Sequence, residues 1–253
     1  PTGHMLYSVV ETASRQCGIR ITNERLLRKL TVWHIWRLAD RMFRHEALEW
    51  VAGWARANDR RLRIYGNGWN NHPTLPRFAA GPAENGRELL CIYRASSINL
   101  QLMPAGFIHQ RALDGLAAGG FFLTRFVPAD LRGRMLKRIN EILEHHGITS
   151  NAEMFECDDP ELRRLLGSYF GRTPSVTDAP DVFTQLRLNG EHLYPDQVFK
   201  GFADLTFDSA ESFAERADAF LDNDTRREAV AKEMREVVIE RFGYRAAMRH
   251  FLE

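Results

Sequence analysis

The sequence predicts an α/β fold, a doubly wound parallel sheet with extra N-terminal helices and a helical insertion. Three observations carry that expectation. Residues 98–102 set apolar Ile98, Leu100 and Leu102 between polar neighbours, the period-2 mark of a strand. Ala112, Leu113, Leu116 and Ala117 then recur at helical spacing, and Gly119-Gly120 closes the helix before the apolar run Phe121-Phe122-Leu123. Strand and helix patterns keep alternating on either side, which argues for parallel strands with helices on both faces.

Taken in order, residues 1–4 ahead of Met5 read as a cloning remnant. Residues 5–17 suit a short helix or a strand, through Leu6, Val9 and Val10. Thr22-Asn23-Glu24-Arg25 offers a helix cap, and apolar residues from Leu26 to Trp54 follow mostly three or four apart. Trp33, Trp36, Trp50 and Trp54 lie in this stripe. Aromatic residues at such spacing usually pack, so it is expected to be a helix pair covering the sheet or a partner rather than a binding box. The helical segment is placed at 5–58 and the sheet domain at 59–253.

Residues 61–65 and 77–82 read as short strands, the first ended by Gly66-Asn67-Gly68-Trp69. A helix over 87–95 is expected to bury Leu89, Leu90, Ile92 and Tyr93. Beyond the central unit, 128–145 reads as one amphipathic helix, with Leu136, Ile139, Ile142 and Leu143 among its apolar positions. Residues 147–200 break the rhythm and read as an insertion, with helices at 160–170 and 181–188 and a turn at 171–174. A last strand at 202–207, helices over 210–221 and 226–241, a break at Gly243 and a final helix to the end complete the chain.

Composition narrows the function classes. Hydrophobic residues make up 44% of 253, enough for a sizeable core. The 34 Lys and Arg against 33 Asp and Glu leave a net charge of +1, so charge gives no global argument for nucleic acid or membrane, and no nucleic-acid partner is expected. No stretch reaches the ~18 uninterrupted apolar residues of a transmembrane segment. Cys17, Cys91 and Cys157 stand far apart, and with no signal peptide visible they suggest a reducing, cytoplasmic setting. His145-His146 suits a helix C-terminus better than a metal site, and no metal or cofactor is expected. Signatures of zinc proteases, serine hydrolases and Walker-type phosphate loops are absent.

Polar residues concentrate where the central strand passes into its helix: His109, Arg111 and Asp114 fall within a turn and a half of the helix start. The ends of strands that face helix N-termini are where open α/β sheets hold phosphorylated ligands. The run His-Gln-Arg-Ala-Leu-Asp-Gly-Leu-Ala-Ala-Gly-Gly-Phe-Phe-Leu at 109–123 resembles the signature of the C-terminal, donor-binding domain of GT-B glycosyltransferases. Within family 1/4 types the likeness is to the CgeB-like (spore-coat-protein-like) group. Ile64-Tyr65-Gly66-Asn67-Gly68-Trp69 looks like that group's turn, and Ala203-Asp204-Leu205-Thr206-Phe207-Asp208-Ser209 is similar to its closing segment.

The resemblance implies a Rossmann-like sheet of the GT-B C-terminal-domain type, metal-independent sugar transfer, and a nucleotide-sugar as substrate. It implies that Asp114 accepts hydrogen bonds from the ribose hydroxyls, where members usually carry Glu. Arg111 and His109 would contact the donor diphosphate, with Gly66 and Gly68 allowing close backbone approach. Retaining members often place a second acid eight positions earlier; Gly106 stands there in this chain. The acceptor-orienting group normally comes from an N-terminal domain, so the chain is expected to be a donor-binding half of a longer protein, with a glycan, lipid or protein acceptor and no nameable catalytic base. The alternative is a non-catalytic module of the same fold used for binding or assembly.

Overall fold

The computed structural model describes residues 3–170, 182–190, 193–246 and 248. The turn expected at 171–174, the start of the helix expected at 181 and the end of the final helix lie outside them. The chain divides into two compact units, residues 1–82 with 102–104, and 83–101 with 105–253. The first therefore keeps the 61–82 stretch together with the N-terminal helices.

In the first unit, the ambiguous N-terminal stretch is helical, α1 (Gly3–Gln16). Asn23 caps α2 (Glu24–Lys29) by accepting from the Leu26 N–H at 3.0 Å. A π-helical turn, Leu30–Ile35, leads into α3 (Trp36–Ala57). The stripe expected to pack does so only in part. Ala47, Leu48, Val51, Ala52 and Ala55 are buried, whereas Leu26, Trp33, Trp36, Leu38 and Met42 are exposed. Leu38 and Met42 lie in α3 itself, on the side of the helix away from Ala47, Val51 and Ala55, so they stay in solvent. Two short strands, β1 (Ile64–Tyr65) and β2 (Ala79–Gly81), pair in parallel with a bulge between Ile64 and Tyr65.

The second unit begins with α4 (Arg87–Ala95), which has no fully buried residue; Leu90 is exposed, and Leu89, Ile92 and Tyr93 are half-buried. Next come β3 (Asn99–Gln101), α5 (Gln110–Ala117), β4 (Phe122–Arg125) and, much later, β5 (Thr206–Phe207). They form a parallel sheet in the order β3-β4-β5. The unit is thus α/β with a small parallel sheet. Phe121, Phe122 and Leu123 are all buried, as a strand covered on both faces requires.

β3 inverts the expected alternation. Asn99 and Gln101 are buried while Ile98 and Leu100 are half-buried. Asn99 Nδ2 donates to the Tyr93 and Phe121 carbonyls at 2.8 and 3.1 Å, and Gln101 Nε2 reaches the Phe107 carbonyl at 3.4 Å. Their amides are buried with acceptors in reach, as buried polar side chains require.

The long helix expected over 128–145 is split. Pro128–Leu131 form a 3₁₀ turn, and α6 (Gly133–His145) starts after it. Leu136, Ile139, Ile142 and Leu143 open a second core, which α7 (Asn151–Glu156), α8 (Pro160–Phe170) and α9 (Val182–Gly190) complete with Met154, Leu162 and Leu186 among others. Arg138 holds α6 to α8 through both Glu161 oxygens, at 3.0 and 2.7 Å. The insertion is therefore helical, as expected, with α7 and a short α10 (Pro195–Val198) added.

α10 supplies the missing start of α6. Asp196 accepts from the Gly133 and Arg134 N–H groups at 3.2 and 3.1 Å, so one carboxylate serves two donors that a helix cannot satisfy itself. A Cβ on residue 133 would lie 2.5–2.6 Å from Tyr194, Asp196 and Gln197, which makes glycine the residue that lets α10 close in. Asp196→Ala is expected to lower stability by about 1–2 kcal/mol in urea unfolding, with Asp196→Asn retaining part of the cap. An unchanged midpoint in the alanine variant would remove Asp196 from this role.

Ser209 caps α11 (Ala210–Leu221), with Ser212 returning the bond to the Ser209 N–H, and Asn223 caps α12 (Asp224–Arg241). Phe202–Leu205, expected as strand, is a 3₁₀ turn leading into β5. Among the described residues no helix is long and apolar enough to cross a membrane.

Candidate functional site

Every polar residue singled out near 110 belongs to the β3–α5–β4 unit, and α5 begins at the C-terminal end of β3. His109 has extended backbone, φ −141°, and is the N-cap: its Nδ1 accepts from the Arg111 N–H at 3.4 Å. The first-turn N–H groups of Gln110 and Ala112 have no acceptor within the helix. Ala112, Gly115 and Leu116 bury one face of α5, so Arg111 and Asp114 emerge on the other, both exposed. At the far end Gly119, at φ +92°, turns the chain, and Arg235 Nε donates to the Ala117 carbonyl at 2.9 Å.

Arg111 and Asp114 share a neighbour on α4. The Tyr93 ring sits 5.5 Å from Phe122, and burial pushes its hydroxyl above the ordinary tyrosine value. Arg111 opposes that rise and Asp114 adds to it, which places both within electrostatic reach of Tyr93. Tyr93 was expected only as packing. Its identity as the third member of this group follows from a contact between helices that periodicity does not encode.

Behind α5 lies a buried carboxylate that sequence reasoning missed. Asp130, in the turn after β4, accepts the Phe107 N–H with both oxygens, each at 3.0 Å. It ties the loop leaving β3 to the loop leaving β4. Phe107 is itself fully buried, its ring 5.7 and 5.0 Å from Phe199 and Phe202. Burial pushes the Asp130 carboxyl up to about 6; the Phe107 N–H opposes that and the nearby Asp196 adds to it. Gly106, at φ +122°, leaves the space: a Cβ there would stand 2.7 Å from Asp130 Oδ1. The position where the resemblance would set an acid is therefore filled by a carboxylate from residue 130.

No family model, no curated protein and no solved structure matches this chain.

Gly66 and Gly68 belong to the first unit, apart from the α5 group, and take φ +128° and +86°. The Gly66 N–H donates to the Gly81 carbonyl at 2.8 Å, and a Cβ on Gly66 would lie 3.2 Å from Trp69 Nε1. That turn is followed by a second group that the sequence did not disclose. His72 Nε2 lies 3.2 Å from His45 Nδ1, and Trp69 is 5.1 and 5.6 Å from the two rings. Thr74 Oγ1 donates to Glu49 Oε1 at 3.0 Å. Burial, then His72, holds the His45 imidazole below its ordinary value.

His146 Nε2 pairs with Asp159 at 3.1 Å, a helix-end contact. Among the described residues no group of three or more His, Cys, Asp and Glu comes together as a metal-binding cluster. A cleft of about 260 Å³, lined by Arg94, Ser96, Ser97, Gly119, Arg227 and Glu228 among others, opens at the N-terminal ends of β3 and β4. Open α/β sheets bind ligands at the opposite end. Arg227 is also already engaged, donating to the Phe220 carbonyl at 2.9 Å and pairing with Asp224 at 2.6 Å. The α5 end is the stronger site.

Proposed function

We propose that the second unit is the donor-binding part of a GT-B-type glycosyltransferase, with a Rossmann-like sheet that receives a nucleotide-sugar at the start of α5. The observation that supports this reading is the parallel β3–α5–β4 unit, with Arg111 and Asp114 on the exposed face of α5's first turns. A carboxylate suits two vicinal ribose hydroxyls, since each of its oxygens accepts one. A guanidinium beside first-turn N–H groups suits a diphosphate and the charge that grows on it as the sugar bond breaks. His109 sets the orientation of that first turn as its cap. The nucleotide-sugar is substrate, and the glycan, lipid or protein acceptor would be held largely by another domain.

Calorimetric titration with UDP, GDP, ADP, CMP and dTDP tests the reading. One of these nucleotides should bind saturably, and Asp114→Ala should weaken it at least tenfold, the usual effect of removing a charged hydrogen-bond acceptor. Binding that Asp114→Ala leaves unchanged would remove the ribose role. Absence of binding by all five would leave the non-catalytic module as the better reading.

A further inference from the structure

The exposed half of the N-terminal helices combines two chemistries that rarely share a solvent-facing surface. Leu26, Val32, Trp33, Trp36, Leu38 and Met42 are all exposed, Trp33 and Met42 at 57% and 63%. Large apolar side chains gathered this closely mark an interaction surface. Between them stand Arg25, Arg28, Lys29, Arg37 and Arg41, also exposed, with Arg37 stacked 5.3 Å over Trp33. Over residues 24–44 six basic side chains face two acidic ones, Glu24 and Asp40, and Asp40 is bound to Arg44. That leaves the segment at +4, six basic less two acidic, in a chain of net +1.

We infer that residues 24–44 are a peripheral docking surface for an anionic lipid bilayer. Charge complementarity selects the occupant. A second copy of the chain would bring two positively charged patches together, which Coulomb repulsion opposes. Nucleic acid would satisfy the arginines and strand Leu26, Val32, Leu38 and Met42 against phosphate. A partner groove reads a narrow apolar seam, whereas here exposed cations stand among the exposed apolar residues along the chain. A bilayer interface accepts that mixture: tryptophan rings and aliphatic chains enter at the headgroup boundary while arginine and lysine reach lipid phosphates. Among the described residues no helix is long and apolar enough to cross a membrane, so the surface would lie on the membrane.

Flotation of the full chain with vesicles decides this. Partition into phosphatidylcholine vesicles carrying about 30% phosphatidylserine should exceed that into phosphatidylcholine alone at least tenfold, and ~0.5 M salt should abolish most of the difference. Tryptophan emission should shift to the blue on binding. Charge reversal at Arg25, Arg28 and Lys29 should lower partition by about a hundredfold or more, from roughly fivefold per charge. Trp33→Ser with Trp36→Ser should lower it about tenfold and remove most of the emission shift. All five positions are exposed, so helicity by circular dichroism should be unchanged. The inference is overturned by failure of the unmodified chain to float with anionic vesicles, or by binding that ignores lipid charge and salt. Self-association in light scattering that the tryptophan variant abolishes, without vesicle binding, would assign the surface to a second copy instead.

Discussion

Gly106→Glu should destabilise the chain by about 4 kcal/mol. Two costs combine. Backbone at φ +122° strains any side chain by about 1–3 kcal/mol. The new Cβ would also start 2.7 Å from Asp130 Oδ1 in a buried place, adding overpacking and a second carboxylate beside the first. Gly106→Ala should carry most of the steric part without the charge. Urea unfolding followed by circular dichroism measures both, and the pairing of Gly106→Glu with Asp130→Ala should recover part of the loss, because the two side chains compete for one space. A Gly106→Glu protein as stable as the parent would mean that residue 130 does not occupy that volume.

Asp130→Asn should change the sign of its effect with pH. The Asp130 carboxyl titrates near 6 in the fold against an ordinary 3.8, and burial is the main cause. A folded value raised in this way means that the native state prefers the protonated acid. The contribution to stability is complete below about pH 3.8, declines as pH rises, and is lost above about 6. The difference amounts to about 3 kcal/mol between the two limits. Asparagine keeps an acceptor for the Phe107 N–H and cannot ionise. It should therefore match or fall slightly below the parent at pH 4 and exceed it by about 1–3 kcal/mol at pH 8. Parallel stability curves for the two proteins from pH 4 to 8 would exclude an ionising Asp130.

The sequence made the element types of the second unit readable because their signals are local. Ser209, Asn223 and the Gly119-Gly120 stop act within a few residues of the structure they determine. Asp130 was unreadable for the opposite reason. Its partner is an amide 23 residues away, and nothing about an acid two positions after a proline distinguishes a buried loop tie from a helix start. The same holds for Asp196 and Gly133, and for His45 and His72. β3 departs from its alternation because Asn99 and Gln101 find buried acceptors in residues 93, 121 and 107, which periodicity does not encode. The exposed placement of Arg111 and Asp114 on α5 follows from its helical spacing, whereas the nearness of Tyr93, contributed by another helix, does not.

The cap that Asp196 places on α6 also has a consequence during synthesis. The two bonds span 62 and 63 residues of chain, so the helix is made long before its cap exists. At about 5–20 residues per second, the first turn of α6 waits on the order of 3–13 seconds with its N–H groups open to water. Through that interval Leu136, Ile139, Ile142 and Leu143 have no finished core to enter, because α8 and α9 arrive in the same delayed stretch. Translation speed across 146–196 thus sets how long an apolar helix face is offered to chaperones and to neighbouring nascent chains.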